Sequence, residues 1–90
     1  MLHIVAYDIA SDRRLRRVAK ICEDYGLRIE KSVFECDLEN DEFERFWELL
    51  GEVVEDADSV IDYPIPQSCR DRIRILGSAR REEPTEVIVF

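Results

Sequence analysis

The chain has 90 residues, 46% hydrophobic and 38% charged, with a net charge of −8. That length allows one small domain, which buries only roughly 60–65% of the surface its unfolded chain exposes, so assembly with a second copy would help it. No apolar run approaches the ~20 residues that cross a bilayer, and Met1-Leu2-His3 leads into structure without the basic and apolar regions of a secretory signal, which excludes membrane-spanning and exported classes as expectations.

Leu2-His3-Ile4-Val5-Ala6-Tyr7-Asp8-Ile9 is almost wholly apolar, rich in β-branched residues and too short for a stable helix, so it reads as a buried strand. Asp8 stands alone near its exit. A carboxylate there has a rigid platform and an open side, which suits metal or acid–base chemistry. Starting the next helix is the alternative role. Ser11 or Asp12 is a helix N-cap candidate, because its side-chain oxygen can accept an orphan backbone N–H. Leu15, Val18, Ala19 and Cys22 then recur at i, i+3, i+4, i+7 and predict an amphipathic helix over residues 12–25, stopped by Gly26. Its other face carries Arg13, Arg14, Arg16, Arg17 and Lys20. Four arginines near a helix start oppose the macrodipole, so either they form a solvated face or they meet a phosphate backbone.

Residues 28–36 alternate loosely and predict a strand, with Phe34 read as core or as a base-stacking platform. Asp37 to Asn40 reads as a turn. Phe43, Phe46, Trp47, Leu50, Val53 and Val54 predict a second amphipathic helix over about 40–55, with all three aromatic residues in the core. A strand over 58–65 follows, ended by Pro64 and Pro66. Residues 67–71 form a short connection, Arg72 to Leu76 alternates at the strand period, and 78–84 is a polar linker. Glu86-Val87-Ile88-Val89-Phe90 is a last strand that needs a sheet partner, in its own subunit or another. The order is read as ferredoxin-like β-α-β-β-α-β with one additional C-terminal strand, an α+β fold with an antiparallel sheet. Both helices cover one face, and the other is left for a dimer partner. Residues 1–78 are the domain, and 79–90 the linker and added strand.

Charge is unevenly spread. Between Glu35 and Asp62 lie twelve acids and one base, Arg45, whereas the remainder has twelve bases and nine acids. A basic surface can therefore persist in an acidic protein. The three cysteines (Cys22, Cys36 and Cys69) are odd in number and lack CxxC spacing, which argues against a disulfide framework or zinc site and for a cytoplasmic chain. Cys22 lies on the helix stripe. Cys36 and Cys69 carry no signal. His3, the single histidine, lies at the far end of its strand from Asp8, roughly 17 Å away, and reads as structural.

Tyr7-Asp8-Ile9, the helix segment Leu15-Arg16-Arg17-Val18-Ala19-Lys20, Tyr25-Gly26, Ser32-Val33-Phe34-Glu35 and the strand ending near Tyr63-Pro64 together resemble the CRISPR-associated protein two family, the small subunit of CRISPR adaptation. The resemblance covers the whole chain. It implies a homodimer of ferredoxin-like subunits, acting as a metal-dependent endonuclease on single-stranded RNA or double-stranded DNA. It also implies an integrase partner during spacer acquisition. The family's metal-binding, catalytic aspartate falls on Asp8 and its neighbouring tyrosine on Tyr7. Nucleic-acid contacts fall on Arg16, Arg17, Arg28 and Phe34, and the cofactor is Mg²⁺ or Mn²⁺. Because one carboxylate per subunit is few for a metal, two copies of Asp8 meeting at a two-fold axis are expected. A non-catalytic dimeric DNA-binding scaffold and a toxin-like ribonuclease are the alternatives.

Overall fold

The computed structural model describes residues 1–77. The expected linker 78–84, the strand 86–90 and the boundary between 1–78 and 79–90 lie outside the described residues. The elements run β1 (Leu2–Asp8), α1 (Asp12–Tyr25), β2 (Leu27–Glu30), β3 (Val33–Asp37), α2 (Asn40–Gly51), β4 (Ser59–Ile65) and the single turn α3 (Gln67–Arg70). The strands form one antiparallel sheet in the order β2-β3-β1-β4. This is the ferredoxin-like α+β arrangement, with β1 in the interior of the sheet between β3 and β4. No helix among the described residues is long and apolar enough to cross a membrane.

Alternation along β1 divides the sheet. His3, Val5 and Tyr7 point to one face, and Leu2, Ile4, Ala6 and Asp8 to the other. On the first face Val5, Tyr7, Phe34 and Cys36 pack with Val18 and Cys22 of α1, Phe43, Phe46 and Leu50 of α2, and Val53. Burial pushes the Cys22 and Cys36 thiols up to about 12, each helped by neighbouring negative charge, so both behave as small apolar side chains. On the second face Ile61 is 46% and Tyr63 52% exposed. That face has no helix over it among the described residues.

Local chemistry explains the element ends. The Ser11 hydroxyl accepts from Arg14 N–H at 3.3 Å and starts α1. Gly26 ends it: its N–H donates to Cys22 O at 2.8 Å. A Cβ at position 26 would lie 2.5 Å from Glu35 O and 2.6 Å from Cys36 Sγ, so only glycine lets α1 come this close to β3. The Glu42 side chain accepts from Glu39 N–H at 3.2 Å and starts α2. Past Gly51, Val53 and Val54 both donate to Leu50 O at 3.0 Å, which ends α2 earlier than the apolar pattern implies and tucks Val53 under the helices.

Three expectations need correction. Residues 28–36 are not one strand but the hairpin β2–β3. The chain turns at Lys31-Ser32, where Ser32 O accepts from Tyr7 N–H at 3.0 Å, and β2 carries a bulge between Arg28 and Glu30. No Gly, Asn or Pro marks that turn; long-range bonds to β1 hold it instead. Residues 72–76 form no strand. Arg72 and Ile73 donate back to Cys69 O and Arg70 O, and the half-buried Ile73 and Ile75 reflect one-sided cover without a ladder among the described residues. Trp47 is not core: it is 37% exposed at the rim, its ring stacked on Phe43 at 5.8 Å.

Candidate nucleic-acid and metal site

Asp8 ends β1 and is exposed. Across the ladder it faces Ser59, the first residue of β4. Among the described residues its carboxylate has no ion-pair or hydrogen-bond partner. Nor do three His, Cys, Asp or Glu side chains converge anywhere among the described residues. In one subunit Asp8 is thus an exposed carboxylate that no cluster of ligating side chains joins among the described residues. A hard cation such as Mg²⁺ accepts that, since it is bound through one or two carboxylates and keeps several waters. The donor chemistry fits the expected metal.

Tyr7 goes the other way. It is 6% exposed on the helix-covered face, its ring lies 6.2 Å from Phe34, and its hydroxyl donates to Lys31 O at 3.4 Å. Burial, chiefly, raises its pKa and keeps the phenol neutral. Consecutive strand residues point to opposite faces, so the structure does not bring the Tyr7 hydroxyl to the Asp8 carboxylate. Tyr7, expected as a catalytic neighbour of Asp8, instead has its hydroxyl tied to the hairpin turn.

The expected phosphate contacts separate into two groups. Arg16 and Arg17 are exposed on α1, and neither has an ion-pair partner among the described residues. They remain available to an anion. Arg28 is engaged. Its guanidinium donates to Lys31 O at 2.8 Å and Glu23 at 3.0 Å, and lies 5.0 Å over the Phe34 ring. Phe34 is fully buried. It cannot stack on a base, and that expectation is corrected: its inward position on β3, opposite Val5, makes it core.

The basic run of α1 also hides a residue of another kind. Arg14 donates from Nε to Asp58 Oδ2 at 2.8 Å and from Nη2 to Asp58 Oδ1 at 3.0 Å. Its Nη1 lies 2.9 Å from Glu55. Asp58 also accepts from Ala10 N–H and from Glu55 N–H, both at 2.9 Å. Its side chain has no exposed surface. The Arg14 guanidinium first, then these two backbone donors, hold the Asp58 carboxyl well below the usual carboxylate range. A cleft of about 450 Å³ opens beside this pair, lined by Ser11, Arg13, Arg14, Arg17, Glu52 and Glu55 among others. Nothing local in the sequence marks Asp58. Arg14 leaves one trace: it precedes Val18 and Cys22 by four and eight residues, so it flanks the buried stripe of its helix.

Known proteins resemble this chain along nearly its whole length. The family model for CRISPR associated protein Cas2 matches residues 1–73. The chain is 36% identical over 90 residues to a protein of Chloroflexus aurantiacus named CRISPR-associated endoribonuclease Cas2 1, covering 98% of this chain and 97% of that one. It is 28% identical over the full length of both chains to a protein of Halalkalibacterium halodurans named CRISPR-associated endonuclease Cas2. The crystal structure of Streptococcus pyogenes Cas2 at pH 6.5 superposes with a TM-score of 0.74 at 35% identity, covering 86% of this chain and all of that one. With the strand order, the matched residues and the extent of these likenesses in agreement, the chain belongs to the CRISPR-associated Cas2 family.

Proposed function

We propose that this chain is one subunit of a homodimeric, Mg²⁺-dependent endonuclease that hydrolyses phosphodiester bonds in single-stranded RNA or duplex DNA and serves spacer acquisition beside an integrase partner. The observation that carries the reading is Asp8: an exposed carboxylate with no partner among the described residues, on the rigid end of an interior strand. Relatives named endoribonuclease and endonuclease support the same chemistry. Ile61 and Tyr63, exposed on the sheet face that no helix covers among the described residues, support a second copy, since apolar surface of this kind is stabilised by burial.

Asp8 would hold the metal, with the partner's copy of the same residue brought near by a two-fold axis. When bound, Mg²⁺ lowers the pKa of its water and withdraws charge from the phosphoryl oxygens. Arg16 and Arg17 position the substrate by phosphate contacts, which orient the backbone without reading sequence. Arg28 acts indirectly, by bracing the β2–β3 hairpin through Lys31 and Glu23.

Asp8→Asn tests the reading. In a nuclease assay on single-stranded RNA and duplex DNA with Mg²⁺ or Mn²⁺, cleavage drops to background while the dimer, measured by sedimentation, is retained. Equal cleavage by wild type and variant removes Asp8 from the chemistry. Duplex binding with no turnover in either protein selects the scaffold role instead.

A further inference from the structure

We propose that Asp58 and Arg14 form a positioning clamp for Asp8, fixing the carboxylate's place relative to the arginines of α1. The inference rests on the endonuclease reading and deepens it. Asp58 is connected to Asp8 along two short routes. Through its bond to Ala10 N–H it holds the chain two residues beyond Asp8. Through the peptide it is joined to Ser59, which faces Asp8 across the β1–β4 ladder. Both exits from the Asp8 position therefore converge on one carboxylate.

That carboxylate is in turn held by the Arg14 fork, at 2.8 and 3.0 Å, and by Glu55 N–H at 2.9 Å. The fork is bidentate, so it fixes orientation as well as distance. Arg14 stands in the first turn of α1, two and three residues before Arg16 and Arg17. The clamp thereby sets the helix that carries the phosphate contacts and the strand that carries Asp8 into one frame. It also gives the covered Asp58 carboxylate a cationic partner, which Arg14 shares with Glu55.

A supporting residue of this kind typically affects metal affinity or turnover by roughly ten- to a hundredfold. The test compares wild type, Asp58→Asn, Arg14→Gln, Arg14→Lys, Asp8→Asn and the core control Val53→Ala, all in the full chain. Three quantities are measured: the melting temperature, the Mn²⁺ dissociation constant from the free-ion electron paramagnetic resonance signal, and kcat and KM on labelled RNA and duplex DNA. For Asp58→Asn and Arg14→Gln, Mn²⁺ affinity and kcat fall roughly ten- to a hundredfold, with KM for nucleic acid within about twofold of wild type. Arg14→Lys, which keeps the charge but loses the fork, recovers part of the loss. Val53→Ala lowers the melting temperature without changing Mn²⁺ affinity or kcat.

A folded Asp58→Asn protein with wild-type Mn²⁺ affinity and kcat overturns the clamp. So does a Val53→Ala protein that loses as much, because the effect is then one of global stability. If Asp58→Asn does not fold, the two Arg14 variants decide: equal Mn²⁺ affinity and kcat in Gln and Lys at matched melting temperature overturns it. Failure of the endonuclease reading is separate, appearing as equal cleavage and equal Mn²⁺ binding in wild type and Asp8→Asn. That result removes the clamp's function along with it.

Discussion

At one end of β1, His3 Nδ1 bonds Asp62 Oδ1 at 2.8 Å while its ring stacks 3.7 Å from Phe43. At the other end, Asp58 is satisfied by four donors, yet Asp8, facing the residue next to it across the ladder, stands exposed with no partner among the described residues. Burying an ionisable group without partners is costly, so a small domain ties up what it buries. At the His3 end the half-buried polar pair serves the fold. At the Asp8 end the fold spends a different carboxylate, Asp58, and leaves Asp8 to solvent. The two ends of one strand thus divide into stability and chemistry.

Breaking the His3 end has the largest expected effect on stability. Phe43→Ala removes a ring that contacts His3, Phe46 and Trp47, and destabilises the domain by about 3–5 kcal/mol, read by urea unfolding. His3→Ala leaves the Asp62 carboxylate without its partner and costs about 1–3 kcal/mol in the same measurement. Neither change reaches Asp8, so a cleavage defect larger than the loss of folded protein would contradict the division.

The acid limb of stability sharpens the comparison at the Asp8 end. Asp58 is held below its unfolded value, so its contribution is complete above the ordinary carboxylate pKa of about 4 and is lost as pH falls from there toward its lower folded value. Unfolding free energy measured from pH 6 downward should fall less steeply in Asp58→Asn than in wild type. Parallel slopes would mean that other carboxylates govern the acid limb.

Much of this division is legible in the sequence. β1, α1 and α2 follow from apolar spacing, because each buries one face against the same core, and β4 follows from its run of β-branched and aromatic residues, of which Val60 packs against that core. The β2–β3 hairpin does not, since its turn is fixed by Tyr7 and Arg28 rather than by turn-forming residues. The prominence of Asp8 is legible as one acid in an apolar run. The sorting of the arginines is not. Arg14, Arg16 and Arg17 are chemically alike in sequence, and only the fold brings Asp58, more than forty residues away, to one of them. The resemblance places Tyr7 beside Asp8 and Phe34 among the nucleic-acid contacts, whereas strand alternation sends both side chains into the core.

The bulge in β2 bears on how the sheet can grow. A sheet in the order β2-β3-β1-β4 has two borders. The β2 border is four residues long, irregular between Arg28 and Glu30, and charged at both positions, which discourages a further strand. The β4 border runs for seven residues in regular register, interrupted as a donor row at Pro64 opposite His3. Its unbroken stretch, Ser59 to Tyr63, lies toward Asp8. Any strand joining this sheet, from the same chain or another molecule, is therefore directed to the side of β4 and to the end where the exposed carboxylate stands.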